Sequence, residues 1–410
     1  MLGEGFSLSS SHMSFSEAGL EIRTFPFRST FREALPPGSE YQRLSSFLKA
    51  LLSYYFARTD GATTRVVGNL EIADSQVEEN SQFRYPLVLP AGEDRASSVV
   101  FLLHGLNERG WDKYLPWAAR LAADTGSGVL LFPLPFHMCR APAAWASPRL
   151  MHQVARERAG LFPDVLCSSF ANAAISTRLQ LVPERLCLSG LQALSDIGSL
   201  ACAIRDGCHP SIDPAARMDI FGYSIGGLVG EILLLAGPTR AFAGSRLLLF
   251  CGGAALDLTD PVSRLILDSE AHRAIQGFYG PGFEARAAEN ALLHHALSRH
   301  EPEAEAFSLL MSSKAKARER AARLEALGAR VMSITLARDT VMPPAGVLAT
   351  LHEEALPRPA LDMVLDFPFQ YSHEVPFPLR SARQGYVDAA FDRVFDLAAG
   401  FFGPPITRAA

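Results

Sequence analysis

The sequence predicts an α/β protein built on a doubly wound, mostly parallel sheet. Three observations carry that reading. From Val99 onward, short and near-continuous apolar runs recur, as they do in strands buried on both faces. Helical patterns separate these runs, and strand alternating with helix implies a parallel sheet covered by helices. Gly128, Gly207, Gly237 and Gly328 fall close to the predicted helix ends, where a left-handed residue is often required. With 48% hydrophobic and 20% charged residues over 410 positions, the chain can bury a large core and belongs to neither the disordered nor the fibrous class.

Residues 1–97 read as an N-terminal leading segment packing on the core. It holds an extended piece near Leu20–Phe25 and a helix around Tyr41–Ala57, where Leu44, Phe47, Leu48, Leu51, Leu52 and Tyr55 share one face. A second extended stretch, Gln82–Leu89, ends at Pro90. The core spans residues 98–400. Its strands are expected at Val99–Leu103, Val129–Phe132, Met218–Phe221, Leu247–Phe250, Val331–Leu336 and Leu361–Leu365. Helices are expected at Lys113–Asp124, Leu191–Asp206, Ile225–Ala236, Lys314–Leu327, Ala345–Ala355 and Gln384–Ala399. Residues 401–410 form a tail.

Two stretches interrupt the alternation. Residues 135–185 hold helical pieces punctuated by Pro142, Pro148, Pro163 and Pro183, and residues 261–313 are mostly helical and rich in His and Ala. Ligands of open α/β sheets bind beyond the carboxyl ends of the strands. Insertions leaving from those ends either cap the crevice or decorate the packing, and both readings stay open.

A net charge of −5, with no Lys/Arg run, excludes the electrostatic footprint of a nucleic-acid binder. The first twenty residues lack the basic and apolar regions of a secretory signal. No window holds about 18 consecutive apolar residues, so no integral membrane segment is expected. Six cysteines without a C-x-x-C pair or zinc spacing suit a reducing, cytoplasmic setting and call for no metal.

The sharpest motif is Gly222-Tyr223-Ser224-Ile225-Gly226, entered by the apolar run Met218–Phe221 and followed by the apolar helix Leu228–Leu235. A Ser on a sharp strand-to-helix turn needs small residues two positions away on each side, which Gly222 and Gly226 supply. The following helix points N–H groups and a positive dipole end toward developing negative charge. A second motif, His104-Gly105-Leu106-Asn107, closes the strand Val99–Leu103. At these two motifs the chain resembles the α/β-hydrolase superfamily of serine esterases and lipases, over roughly residues 98–400. The resemblance implies that Ser224 is a nucleophile and that the N–H groups of Leu106 and Ile225 form an oxyanion hole.

A Ser hydroxyl needs a base, and the base an orienting acid. The superfamily's chain order is Ser, acid, His. Asp339 follows the strand Val331–Leu336 and precedes Pro343 and Pro344, text similar to the superfamily's acid loop; Asp257, beyond Leu247–Phe250, is the alternative. His373 lies in the loop after the last strand, where the resemblance places the base. His294, His295 and His300 read as solvated, His352 falls on a helix, and His104 belongs to the oxyanion text.

The resulting expectation is a carboxylic-ester hydrolase acting through Ser224, His373 and Asp339 on a small-molecule acyl substrate, with no cofactor. Trp111, His137 and Tyr223 are candidate substrate-binding residues, and Arg140 is a candidate partner for a substrate carboxylate. An acyltransferase on the same fold, and a noncatalytic binding protein, are the rival readings. The sequence leaves the oligomeric state open.

Overall fold

The computed structural model describes residues 18–31, 74–237, 240–352 and 361–403. Eight strands form one sheet in the order β1-β2-β4-β3-β5-β6-β7-β8. They are β1 (Leu20–Arg28), β2 (Gln82–Pro90), β3 (Ala96–Leu103), β4 (Gly128–Phe132), β5 (Ile212–Tyr223), β6 (Leu247–Phe250), β7 (Val331–Leu336) and β8 (Asp362–Leu365). β2 runs antiparallel to β1 and β4, whereas β4, β3, β5, β6, β7 and β8 pair in parallel. A sheet in this order, with its second strand reversed and helices on both faces, is the α/β-hydrolase fold.

Side chains alternate across the central strands and build two cores. Val100, Leu102, Val129, Leu131, Phe221 and Phe250 meet Trp117 of α1 (Tyr114–Thr125) and Phe395 of α12 (Gln384–Phe402) on one face. Val99, Phe101, Leu103, Leu130, Ile220 and Leu249 meet α4 (Arg185–Arg205) and α5 (Ile225–Leu235) on the other. β1 and β2 place the leading segment in the sheet itself, as its outer edge. The helix expected at Tyr41–Ala57 lies outside the described residues.

The first insertion carries α2 (Pro148–Leu161) and α3 (Ala173–Leu181); the second carries α6 (Ser269–Tyr279), α7 (Phe283–Glu289), α8 (Ala291–Arg299) and α9 (Glu301–Leu309). The two pack on each other as one body. Arg158 on α2 donates to both carboxylate oxygens of Asp268 at 2.7 and 2.8 Å, and that Asp268 also caps α6 through Ala271 N–H. Beneath them, α10 (Ala317–Leu327) and α11 (Pro344–Leu351) complete the helical layer.

α4 begins at Arg185, six residues before the expected Leu191. The apolar pattern hid this start because Arg185 is buried by pairing with Asp74 rather than by being apolar. α4 is also long and apolar enough to cross a membrane by length and composition, yet most of it is buried inside the fold.

Candidate active site

Ser224 stands alone between the last residue of β5 and the first of α5. Its backbone is held at φ 56°, ψ −122°, a region that L-residues rarely adopt. The flanking glycines are required by space. A Cβ on Gly226 would sit 2.3 Å from the Leu103 carbonyl oxygen, and one on Gly222 would sit 2.6 Å from Gly227 Cα. β3 and α5 therefore approach too closely for any side chain, and the turn lifts Ser224 above the carboxyl edge of the sheet.

Three loops bring the other groups to it. His373 Nε2 lies 2.8 Å from Ser224 Oγ, and His373 Nδ1 lies 2.8 Å from Asp339 Oδ2. The other oxygen of Asp339 accepts the N–H groups of Val341 and Met342, each at 2.9 Å. The carboxylate is thus fixed by the loop that it caps, and one oxygen is left for the imidazole. The Cys251 thiol, just after β6, is buried beside Asp339, and burial together with that carboxylate pushes its pKa up. Ser224, His373 and Asp339 are each no more than 5% exposed. A buried Ser–His–carboxylate relay of this geometry can pass a proton from hydroxyl to ring while the acid holds the tautomer.

The loop after β3 comes against the elbow at Gly105, where a Cβ would lie 3.0 Å from the Tyr223 ring and 3.5 Å from Ser224 Cβ. Gly105 N–H is already given to the Tyr114 hydroxyl at 3.0 Å, so Leu106 is the next peptide N–H in that loop. Ile225 opens α5, and a first-turn N–H has no intrahelical acceptor.

The structure withdraws Asp257, Arg140 and Tyr223 from the crevice. Asp257 accepts from Ser312 and Ser313 and plays no part in the relay. Arg140 is fully buried, and each of its nitrogens already donates, to Asp196 at 2.7 Å, to Asn80 and to the Pro133 carbonyl, so it is closed to a substrate. Tyr223 lies in the core below Ser224 rather than on a crevice wall, because side chains alternate along β5 and the residue before the Ser points down. His352 pairs with Asp362. Trp111 is half-buried against His104, 5.7 Å between ring centres. His137 is buried beside His104, 5.2 Å away, and burial pushes its pKa down to about 4.

Sequence reasoning missed a polar brace behind the site. The Tyr114 hydroxyl donates to Glu108 at 2.8 Å; Lys113 pairs with Glu108, sits 4.5 Å over the Tyr223 ring and reaches the Glu374 carbonyl at 3.2 Å. These residues connect the loop after β3 to the His373 loop, and no local motif announces them. Among the described residues, no group of three or more His, Cys, Asp or Glu is placed to hold a metal ion.

A family model described as a family of unknown function, DUF6051, matches residues 1–403. No curated protein matches the chain. Among solved structures, an esterase of Pyrobaculum calidifontis is 13% identical, with 91% of this chain and 94% of that one covered, at a TM-score of 0.39. Carboxyl esterase 2 of the mycorrhizal fungus Tuber melanosporum is 12% identical, with 78% and 81% covered, at 0.41. A peroxisomal α/β-hydrolase of Saccharomyces cerevisiae is 14% identical, with 93% and 90% covered, at 0.40. These likenesses are loose, and the fold rests on the strand order and the elbow themselves.

Proposed function

Because the chain belongs to DUF6051, a family of unknown function, we infer its activity from its site and propose that it is a serine hydrolase of carboxylic esters. One observation carries the reading: the unbroken hydrogen-bonded line from Ser224 Oγ through His373 to Asp339, set on a strained strand-to-helix turn.

In this reading His373 Nε2 takes the Ser224 proton as Oγ attacks the ester carbonyl. Asp339 keeps the proton of His373 on Nδ1 and stabilises the imidazolium. The N–H groups of Leu106 and Ile225 receive the oxyanion, each worth roughly 2.7–4 kcal/mol of barrier at sites of this kind. His373 then protonates the leaving alkoxide, and the acyl group stays on Oγ. Water, deprotonated by the same ring, releases the acid and restores the hydroxyl. The two insertions act as a cap over this chemistry. The test is turnover of a panel of short-chain nitrophenyl esters by the purified protein and by Ser224→Ala. Turnover that vanishes in the variant supports the reading, and turnover that persists removes Ser224 from it.

A further inference from the structure

Four buried arginines of this chain are matched to carboxylates, Arg140 to Asp196, Arg158 to Asp268, and Arg178 and Arg185 to Asp74, while a fifth, Arg320, gives all three of its nitrogens to the carbonyls of Leu309, Ser312, Ser313 and Thr350. Arg109 departs from that pattern. Its Nη2 donates to Asn107 Oδ1 at 2.9 Å, but its Nη1 is buried with no hydrogen-bond partner and no carboxylate answers its charge among the described residues. Burial lowers its pKa only to about 10, so the group stays charged near neutral pH. A buried charged donor left unmade is costly, and such groups are rare unless something binds them.

Two more buried polar atoms without partners sit in the neighbouring loops: His137 Nε2 and Ser168 Oγ. His137 is 8% exposed, and its Nδ1 lies 2.7 Å from the Pro135 carbonyl. A carbonyl only accepts, so Nδ1 carries the proton and Nε2 of the neutral ring is an acceptor. Ser168 belongs to the cap loop drawn down by Asn107, whose Nδ2 donates to the carbonyls of Ala171 and Leu265 at 2.9 and 2.7 Å.

The strand order locates this group. Ser224 follows β5, Arg109 follows β3 and His137 follows β4, and the three strands are neighbours in the order β4-β3-β5. With strands about 4.8 Å apart, the loops after β3 and β4 emerge on one side of the Ser224 turn, and the Arg109 charge bears on the His137 ring.

We propose that this end of the crevice binds a carboxylate borne by the substrate, held by Arg109, with His137 and Ser168 taking a hydroxyl or N–H next to it. The inference rests on the serine-hydrolase reading for the position of the scissile bond. The substrate class is then an ester whose acyl part ends, a few carbons on, in a carboxylate.

The test compares two nitrophenyl esters of equal chain length, the glutarate hemiester and the valerate ester. Wild-type kcat/KM should favour the hemiester by about ten-fold, the worth of one charge-assisted pair. Arg109→Gln should bring that ratio close to one, mainly through KM, and Arg109→Lys should fall between. An unchanged ratio in folded Arg109→Gln overturns the carboxylate site and leaves the hydrolase reading intact. Calorimetry of glutarate with the Ser224→Ala protein reads the site without turnover. Binding there that is lost on adding Arg109→Gln upholds the site even if neither ester is cleaved, which would defeat the hydrolase reading alone. No glutarate binding to the Ser224→Ala protein overturns the site.

Discussion

The Tyr223 hydroxyl donates to the backbone carbonyl of His373, and the two rings stack with centres 5.5 Å apart at 19°. The residue before Ser224 in the chain thus fixes the loop that carries the imidazole. One strand sets both partners of the proton transfer, although 149 residues separate them.

Tyr223→Phe keeps the ring and removes that donor, leaving a buried carbonyl unmade at a cost of about 1–3 kcal/mol. As Tyr223 is a positioning residue, kcat should fall several-fold with KM nearly unchanged, and Tm should drop. Equal loss in KM would mean that the tyrosine meets substrate instead.

Asp339→Asn should lower kcat by about 10⁴-fold through the wrong ring tautomer, with little change in Tm. Asp257→Asn should retain most turnover, since Asp257 serves only the turn at Ser312 and Ser313. Steady-state kinetics of the two variants side by side distinguishes the acids. The reverse ranking would show that the acid has been misplaced.

Arg140 and Asp196 tie the first insertion to α4, and Asp196 also accepts the Ser29 hydroxyl at 2.6 Å. Removing one partner strands a buried charge, which costs roughly 3–5 kcal/mol. Arg140→Ala should therefore lower Tm by more than any exposed Arg→Ala change, read by calorimetric melting. A Tm equal to wild type would show that the pair is dispensable.

Glu231 is buried on α5 with neither carboxylate oxygen hydrogen-bonded; burial raises its pKa to about 8, an effect that the Arg320 charge partly offsets. Between the ordinary value of 4.5 and about 8, the folded protein holds a proton that the unfolded chain has released. Stability contributed by this group therefore falls as pH rises through that window and levels off above it. Glu231→Gln cannot ionise, so its Tm relative to wild type should rise between pH 5 and pH 8.5. A pH-independent difference would show that Glu231 does not titrate in that range.

The sheet was legible because its strands are apolar on both faces, and the runs beginning at Val99, Leu247 and Val331 lie in β3, β6 and β7. The elbow was legible because contact with Leu103 and Gly227 leaves no choice but glycine at positions 226 and 222. What stayed hidden depends on charge pairing between distant segments. Arg185 reads as polar until Asp74 is placed beside it, and Arg140 reads as a free cation until Asp196 is. Tyr223 was misread as a crevice residue because adjacency to Ser224 in sequence says nothing about which face of β5 it takes. The Glu108–Lys113–Glu374 brace joins two loops far apart in the chain and has no spacing to recognise.

The most direct measurement is labelling of the purified protein with a fluorophosphonate probe, followed by peptide mass mapping, with Ser224→Ala as control. A single phosphonyl adduct is expected on Ser224 and is absent from the variant. An adduct on another residue, or none on protein that is folded and open to the probe, would contradict an activated serine at the end of β5.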